Sequence, residues 1–465
     1  MRRLFFGLAL LATLSCVPTS GQETLSELCD RVFSVAQVQA VYMDSLLTAG
    51  MPGQAGHDGT GVVMAGTDRP SVEWLCPRTF QGDTLVTSDI GWWTSGFYPG
   101  VLWQIYEETA DTRFRELAVK HTLPLAGLLD QNTDHDIGFQ LMSSFGKMMA
   151  DGHSGSLPSP SDSLSSCHSE SRSYTCHSEP RSHTCHSEPR RGEGISPDSV
   201  LRRGAAKLAA RFVPEAGVIR SWNWGPWNIP VIIDNMMNLE LLDAARAFPA
   251  IQNEYWEIAE THARTTLKNH FREDGTVWHL VDYADDGTVL GRQTVQGYAD
   301  DTAWARGQAW ALYGYARMAE VRANWAEPEV HFQPFYAAAA KLEAWLLENL
   351  PEDGVPYWDF SQSDYKDASA GAIIACGLLK MWRLRDCPTD DPALAMAERI
   401  LRTLASPEYL AEPRTNGGFL LKHSVGNIPG GTEVDVPLTY ADYYFLEALT
   451  LLPAEGRGME AAEGQ

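Results

Sequence analysis

Cations are scarce in this 465-residue sequence: 36 Lys and Arg stand against 60 Asp and Glu, a formal net charge of −24. No basic cluster offsets the deficit, which excludes nucleic acid as a partner, because a phosphate backbone needs Lys and Arg gathered on one face. A small anionic ligand is still allowed, but only at a local site, and Arg306 is the candidate cation for one. Cysteine is scarce as well. Of the eight, Cys16 lies near the N-terminus and Cys167, Cys176 and Cys185 lie in a repeat. The spacing of Cys29, Cys76, Cys376 and Cys387 fits neither a metal motif nor a disulfide framework. Cys376, set in GAIIACGLL, reads as a buried free thiol. Past the N-terminus no apolar run is long enough to span a bilayer. Strand signals are few and short, as at 277–283, which excludes a core built on sheets.

What is present is a large complement of apolar and aromatic residues. At 44% hydrophobic the chain can bury an extensive core. Fifteen Trp and sixteen Tyr suit either a carbohydrate-type cleft or an aromatic core. The N-terminus reads MRRLFFGLALLATLSC, with Arg2 and Arg3 ahead of an apolar run to Leu14, the layout of a secretory signal over 1–22. Export is therefore expected, to the periplasm or the outer membrane of a bacterium. Cys16 would suit a lipidated membrane anchor, but Thr13 stands where such signals favour Leu, so cleavage without lipidation stays open.

Helical periodicity marks 26–47, 112–129, 138–149, 198–212, 251–271, 302–321, 332–349, 368–383, 393–405 and 438–452, with further helix entries near Thr94-Ser95-Gly96 and at Pro230. About twelve helices paired by alternating short and long connections predict an all-α fold, six hairpins closing into an (α/α)6 barrel over 23–455. An open helical solenoid fits the same pattern. Residues 456–465 read as a flexible tail. Residues 151–197 break the periodicity, with Cys-His-Ser-Glu recurring from Cys167, Cys176 and Cys185. Cys/His pairs invite a metal reading, but almost nothing apolar is there to order ligands. The segment reads as a disordered, dispensable insertion, with no metal or other cofactor expected.

Chemistry concentrates in VQGYADDTAWARGQAW (295–310). On a helix starting near Thr302, Arg306 and Trp310 share a face, so a guanidinium fork and an indole could take a ligand with a carboxylate and a flat ring. A structural Arg packed on Trp is the other reading. A second candidate is Asp234, one turn from Asn238 and flanked by Ile232, Ile233, Met236 and Met237. A carboxyl in such company stays protonated near neutral pH, as a general acid must, although buried Asp residues also serve as backbone acceptors. Asp134-His135-Asp136 places two carboxylates and an imidazole at a loop-to-helix junction, where one Asp is expected to be an N-cap.

The ordered series WTSGFYPG (93–100), DHDIGF (134–139), PVIIDNMMNLELL (230–242), VWHLVDY (277–283), QGYADDTAWARGQAW (296–310), DASAGAIIACGLL (367–379) and EVDVPLTYADYYFLEAL (433–449) resembles glycoside hydrolase family 88, the unsaturated glucuronyl hydrolases. The resemblance implies an (α/α)6 barrel acting on unsaturated uronic-acid oligosaccharides left by polysaccharide lyases. It implies hydration of the C4=C5 bond, with Asp234 as general acid/base and Asp136 as the assisting carboxylate. Trp93, His279, Gln296, Trp304, Arg306 and Trp310 match positions around the unsaturated ring, while Ser369 and the His423-Ser424 loop would reach further sugars. Some relatives place a histidine just before the Gln, where this chain has Val295. An unsaturated rhamnogalacturonyl hydrolase on the same fold, or a non-catalytic glycan-binding lipoprotein, would be the alternatives. The parent polysaccharide and the oligomeric state are not legible.

Overall fold

A helix that is apolar on every side must be covered on every side. Ala368–Leu384 is of that kind, buried without a break from Ala368 to Trp382, and Ala305–Arg322 comes close to it. By contrast Pro392–Leu404 buries only Ala393, Leu394, Ala397, Ile400, Leu401 and Leu404, a single stripe at helical spacing. These two kinds of helix sort into an inner and an outer layer.

The computed structural model describes residues 23–49, 74–152, 196–245 and 255–453. The expected signal with Cys16, the Cys-His-Ser-Glu repeat, residues 251–254 of one expected helix and the expected tail lie outside them. In chain order the helices are α1 (Leu25–Thr48), α2 (Phe97–Thr109), α3 (Thr112–Thr122), α4 (Ile137–Leu141, running on through a π turn at Met142–Gly146 into Lys147–Ala150), α5 (Pro197–Ala209), α6 (Asn235–Ala245), α7 (Tyr255–His270), α8 (Ala305–Arg322), α9 (Gln333–Asn349), α10 (Ala368–Leu384), α11 (Pro392–Leu404) and α12 (Thr439–Leu451), with one extra turn at Pro328–His331. The even-numbered helices close a ring: α2 packs on α4, α4 on α6, α6 on α8, α8 on α10, α10 on α12, and α12 on α2 again. Each odd-numbered helix lies outside against an even-numbered neighbour. The closed ring selects the (α/α)6 barrel over the solenoid. Two glycines let α8 approach its neighbours: a Cβ on Gly314 would lie 2.6 Å from the Cβ of Met236, and one on Gly377 2.7 Å from Leu312. No described helix is long and apolar enough to cross a membrane.

Because inner and outer helices alternate along the chain, the inner six run parallel and all begin at one end of the ring. The long connections gathered there carry short antiparallel strands: β1 (Cys76–Gln81) with β2 (Thr84–Ser88), a sheet ordered β3 (Ile229–Ile232), β4 (Leu280–Tyr283), β5 (Val289–Gln293), and β6 (Ser424–Asn427) with β7 (Thr432–Val436).

Several expected boundaries are corrected. Pro230 does not open a helix: it lies in β3, opposite Asp282, and the helix starts only at Asn235. Fully buried β-branched neighbours paired with β4 outweigh the helix-start signal of the proline. The helix expected over 112–129 turns 3-10 at Leu123–Asp130, where Pro124 ends the α pattern. At α2 neither expected hydroxyl caps. Gly96 is the N-cap residue, Ser95 Oγ donates to the Ile90 carbonyl, and Thr94 Oγ1 has no partner among the described residues.

The insertion read at 151–197 is narrower at its described edges. Asp151 pairs with Arg115 at 3.0 Å, Ser196 caps α5, and Pro197 begins it. Excision should therefore spare these residues. Replacing 153–195 with a short Gly/Ser join is expected to leave the unfolding temperature and the activity nearly unchanged; collapse of the fold would show that the repeat is ordered.

Candidate active site

Each inner helix begins at this end of the ring with a chemistry-bearing residue in or beside its first turn. They are Trp93 ahead of α2, Asp136 ahead of α4, Asp234 ahead of α6, Trp304 at the N-cap of α8 with Arg306 in its first turn, Asp367 at the N-cap of α10 with Ser369 in its first turn, and Tyr440 on α12. Helix starts carry unsatisfied N–H groups and partial positive charge. Six of them facing one space offer an anion a favourable field within a strongly acidic chain.

Asp234 follows β3, and its backbone is fixed by Ile233 N–H donating to the His279 carbonyl at 2.9 Å and Met237 N–H donating to its own carbonyl at 3.0 Å. Its Oδ2 is buried and has no hydrogen-bond partner among the described residues. Burial pushes its carboxyl up from 3.8 to about 7, against the pull of His135 and Arg306, with nearby Asp136 adding to the rise. Asp136 is also raised well above the usual carboxylate range, by burial first and then by Asp134. Asp136 occupies the N-cap position of α4 without capping it, while Asp134 Oδ1 accepts the Asp136 N–H at 3.0 Å. Asp134 thus braces the turn ahead of the helix, and the Asp136 carboxyl, spared from capping, faces Asn238 and His135. Asn238 is not on a shared face with Asp234, which precedes the helix; its Oδ1 accepts from Phe139 N–H at 2.7 Å, tying α6 to α4.

Two histidines complete this wall, and their partners fix their tautomers. His135 Nδ1 lies 2.8 Å from the Ser221 carbonyl, which can only accept, so Nδ1 carries the proton and Nε2 is the acceptor, 3.3 Å from Asp136 Oδ1. His279 Nδ1 accepts from Val295 N–H at 3.1 Å, so its proton is on Nε2, 3.8 Å from Asp234 Oδ2. Burial lowers both imidazoles, His279 to about 3, so both are neutral near pH 7. A protonated Asp136 can donate to one, and an ionised Asp234 can be received by the other.

Asp134, His135 and Asp136 bring ligand atoms within 4.8 Å of one another, a spacing a cation could use. Burial favours the protonated form of Asp136, however, and a metal needs the carboxylate.

Arg306 is buried, and its guanidinium is more heavily engaged than an open fork. Nη1 donates to Asp367 Oδ2 at 2.9 Å and to the Val425 carbonyl, and Nη2 donates to the Gly426 carbonyl. Nε–H has no hydrogen bond among the described residues. The cation stands 4.6 Å from the Trp304 ring and 5.6 Å from that of Tyr440. Trp304 in turn lies against His279, with ring centroids 4.4 Å apart. Gln296 Nε2 donates to the same Gly426 carbonyl at 3.2 Å, so the Gln296 loop, α8 and the β6–β7 hairpin meet at one point.

The remaining expected residues divide. Trp93 is partly buried beside Tyr440, at 4.9 Å between rings. Trp310 does share the α8 face with Arg306, but it is fully buried against Phe139 and Tyr444, deeper than a stacking wall would be. Ser369 is fully buried and its hydroxyl donates to Asp367 Oδ1 at 2.5 Å, so it supports Asp367 from behind. Asp367 itself was not foreseen. From sequence it is only an N-cap for α10, and that role is real, but its second oxygen holds Arg306. Tyr440 and Trp222, whose ring lies 6.3 Å from that of His135, were likewise hidden among ordinary aromatics.

No protein-family model matches this chain. Over 374 residues it is 36% identical to an unsaturated glucuronyl hydrolase of Formosa agariphila, covering 77% of this chain and 79% of that one. Over 393 residues it is 30% identical to an unsaturated glucuronyl hydrolase of Bacillus sp. strain GL1, covering 81% and 90%. The crystal structure of an unsaturated glucuronyl hydrolase specific for heparin superposes with a TM-score of 0.71 at 33% identity, covering 92% of this chain and 98% of that one.

Proposed function

We propose, for a chain that belongs to the unsaturated glucuronyl hydrolases of glycoside hydrolase family 88 and is a glycoside hydrolase, that it removes a 4,5-unsaturated glucuronic acid from the non-reducing end of lyase-generated oligosaccharides by hydrating the C4=C5 bond. The observation that carries the reading is Asp234: a buried carboxyl held near pH 7, facing the space that the inner helix starts and Arg306 make positive.

The substrate's carboxylate is conjugated to an enol ether, so C4 is the atom that accepts a proton. Asp234 in its protonated form delivers one there. Water adds at C5, and its surplus proton returns to the Asp234 carboxylate. Asp136, raised and beside the acceptor nitrogen of His135, holds the approaching water or a ring hydroxyl. The hemiketal at C5 then opens by cleavage of C5–O5, giving a ketone at C5 and a hydroxyl at C1. The resulting hemiacetal collapses to an aldehyde and expels the remaining sugar. The anomeric carbon is never attacked, so the separation of the two carboxyls does not fix the stereochemical outcome as it does in ordinary glycosidases. The free Nε–H of Arg306, with its charge close by, takes the substrate carboxylate, and Trp304, Trp93 and Gln296 line the ring's surroundings. On the layout of the N-terminal segment we also propose export, with Cys16 as the candidate for lipid attachment.

The pH dependence follows in sign. The folded pKa of Asp234 is above its usual value, and the catalytic form is the protonated one, present below about 7. kcat/KM is therefore expected to fall about tenfold per pH unit above that point. A profile measured on an unsaturated disaccharide that instead rises through pH 7 would assign Asp234 as a base in the first step.

A further inference from the structure

The segment Ser221 to Asn228 ties one end of the site to a feature that the mechanism does not use. Ser221 receives two bonds from His135 through its carbonyl, from N–H at 3.1 Å and from Nδ1 at 2.8 Å. Trp222 packs with Ile232, Leu280 and Val295, which are near or adjacent in sequence to Asp234, His279 and Gln296 respectively. Trp222 therefore packs on the segments that carry the site and stands beside His135. Outside it lies Trp224, nearly parallel, with ring centroids 4.9 Å apart and planes at 15°. Trp227 holds both edge-on, at 5.7 and 6.3 Å, and is itself anchored by its indole N–H donating to Gln293 Oε1 at 2.9 Å.

This arrangement is built rather than incidental. Gly225 turns the chain at φ +83°, and a Cβ there would lie 2.6 Å from the Trp227 ring, so the turn admits the three indoles only with glycine. One face of Trp224 is covered by Trp222, yet the residue is 62% exposed, more than any other large hydrophobic among the described residues. Core packing does not leave an indole in that state. An open indole face held in a fixed orientation suits a ligand with one apolar face and hydroxyls at its edge, which is a pyranose.

We infer that Trp224, supported by Trp222 and Trp227, is a stacking platform for a sugar on the reducing side of the substrate, beyond the one directly attached to the unsaturated ring. The inference extends the proposed function and rests on it. His135 and Trp222 stand between Trp224 and the acid pair, so a disaccharide ends before the platform and a longer chain reaches it. The three indoles are uncharged, so the platform takes a sugar by its ring face, while the terminal carboxylate is taken at Arg306.

The test compares wild type with Trp224→Ala and Trp224→Phe on an unsaturated disaccharide and an unsaturated tetrasaccharide from the same polymer. For Trp224→Ala, kcat/KM on the tetrasaccharide is expected to fall roughly tenfold through KM, with the disaccharide changed less than about twofold, and Trp224→Phe should recover most of the loss. Equal losses on both substrates, or none on either, would overturn the platform. If the wild type turns over neither substrate, the proposed function fails instead, and the platform is read by binding. Saturable quenching of tryptophan fluorescence by the tetrasaccharide in wild type but not in Trp224→Ala supports it; absence of quenching, or the same quenching in both, overturns it.

Discussion

Asp234→Asn is expected to lower kcat on an unsaturated disaccharide by roughly three orders of magnitude, with KM changed by no more than a few-fold. Asparagine keeps the shape of the protonated acid but has no proton to give to C4. The unfolding temperature should not fall, and the sign can be worked out. Burial raises the carboxyl from 3.8 to about 7, so the folded chain resists ionising it. Asp234 thus costs stability progressively as pH rises from about 4 to about 7, and the neutral amide removes that cost. A variant that is inactive and also less stable at pH 8 would point to a structural carboxylate. The chain provides that contrast in Asp442, which is also raised to about 7 by burial but accepts backbone N–H bonds from Leu420 and Leu421, both at 2.8 Å. Asp234 Oδ2 has no such partner. A raised pKa marks both residues, and only the free oxygen distinguishes the acid from the strut.

Arg306→Lys is expected to lower kcat/KM about a hundredfold, mainly through KM, and to reduce the unfolding temperature by several degrees. Lysine keeps the charge near Asp234 but cannot hold Asp367 and the carbonyls of Val425 and Gly426 from fixed directions, nor offer Nε–H to the substrate at the same time. The Arg306–Asp367 pair is buried on both sides, with side-chain exposures of 2% and 0%, and disturbing one member of such a pair costs about 3–5 kcal/mol when the other is left without a partner. Steady-state kinetics beside thermal unfolding separates the two effects. Unchanged KM with a lowered unfolding temperature would make Arg306 an anchor for the β6–β7 hairpin and nothing more.

The helical layout was legible because about twelve periodic segments alternate between short and long connections, but a solenoid shares that pattern, and only the packing of α12 back on α2 closes the ring. The expected helix at Pro230 failed for a tertiary reason: Ile229–Ile232 is buried by pairing with Leu280–Tyr283, some fifty residues away, and local propensity carries no trace of that partner. At the site, Asp234 could be found because its apolar neighbours are adjacent in sequence. Asp367 could not, because its N-cap role explains its presence and its contact with Arg306 spans 61 positions. Trp310 was read correctly as sharing the helix face of Arg306, but periodicity cannot say how deep in the ring that face lies.

The central claim is tested most directly by following the absorbance of the conjugated acid while the protein acts on a lyase-generated unsaturated disaccharide. The account predicts that wild type abolishes the absorbance and releases the second sugar in equal amount, faster below pH 7 than above it, and that Asp234→Asn does neither at a comparable rate. Absorbance that persists with wild type, or that disappears equally fast with Asp234→Asn, would contradict it.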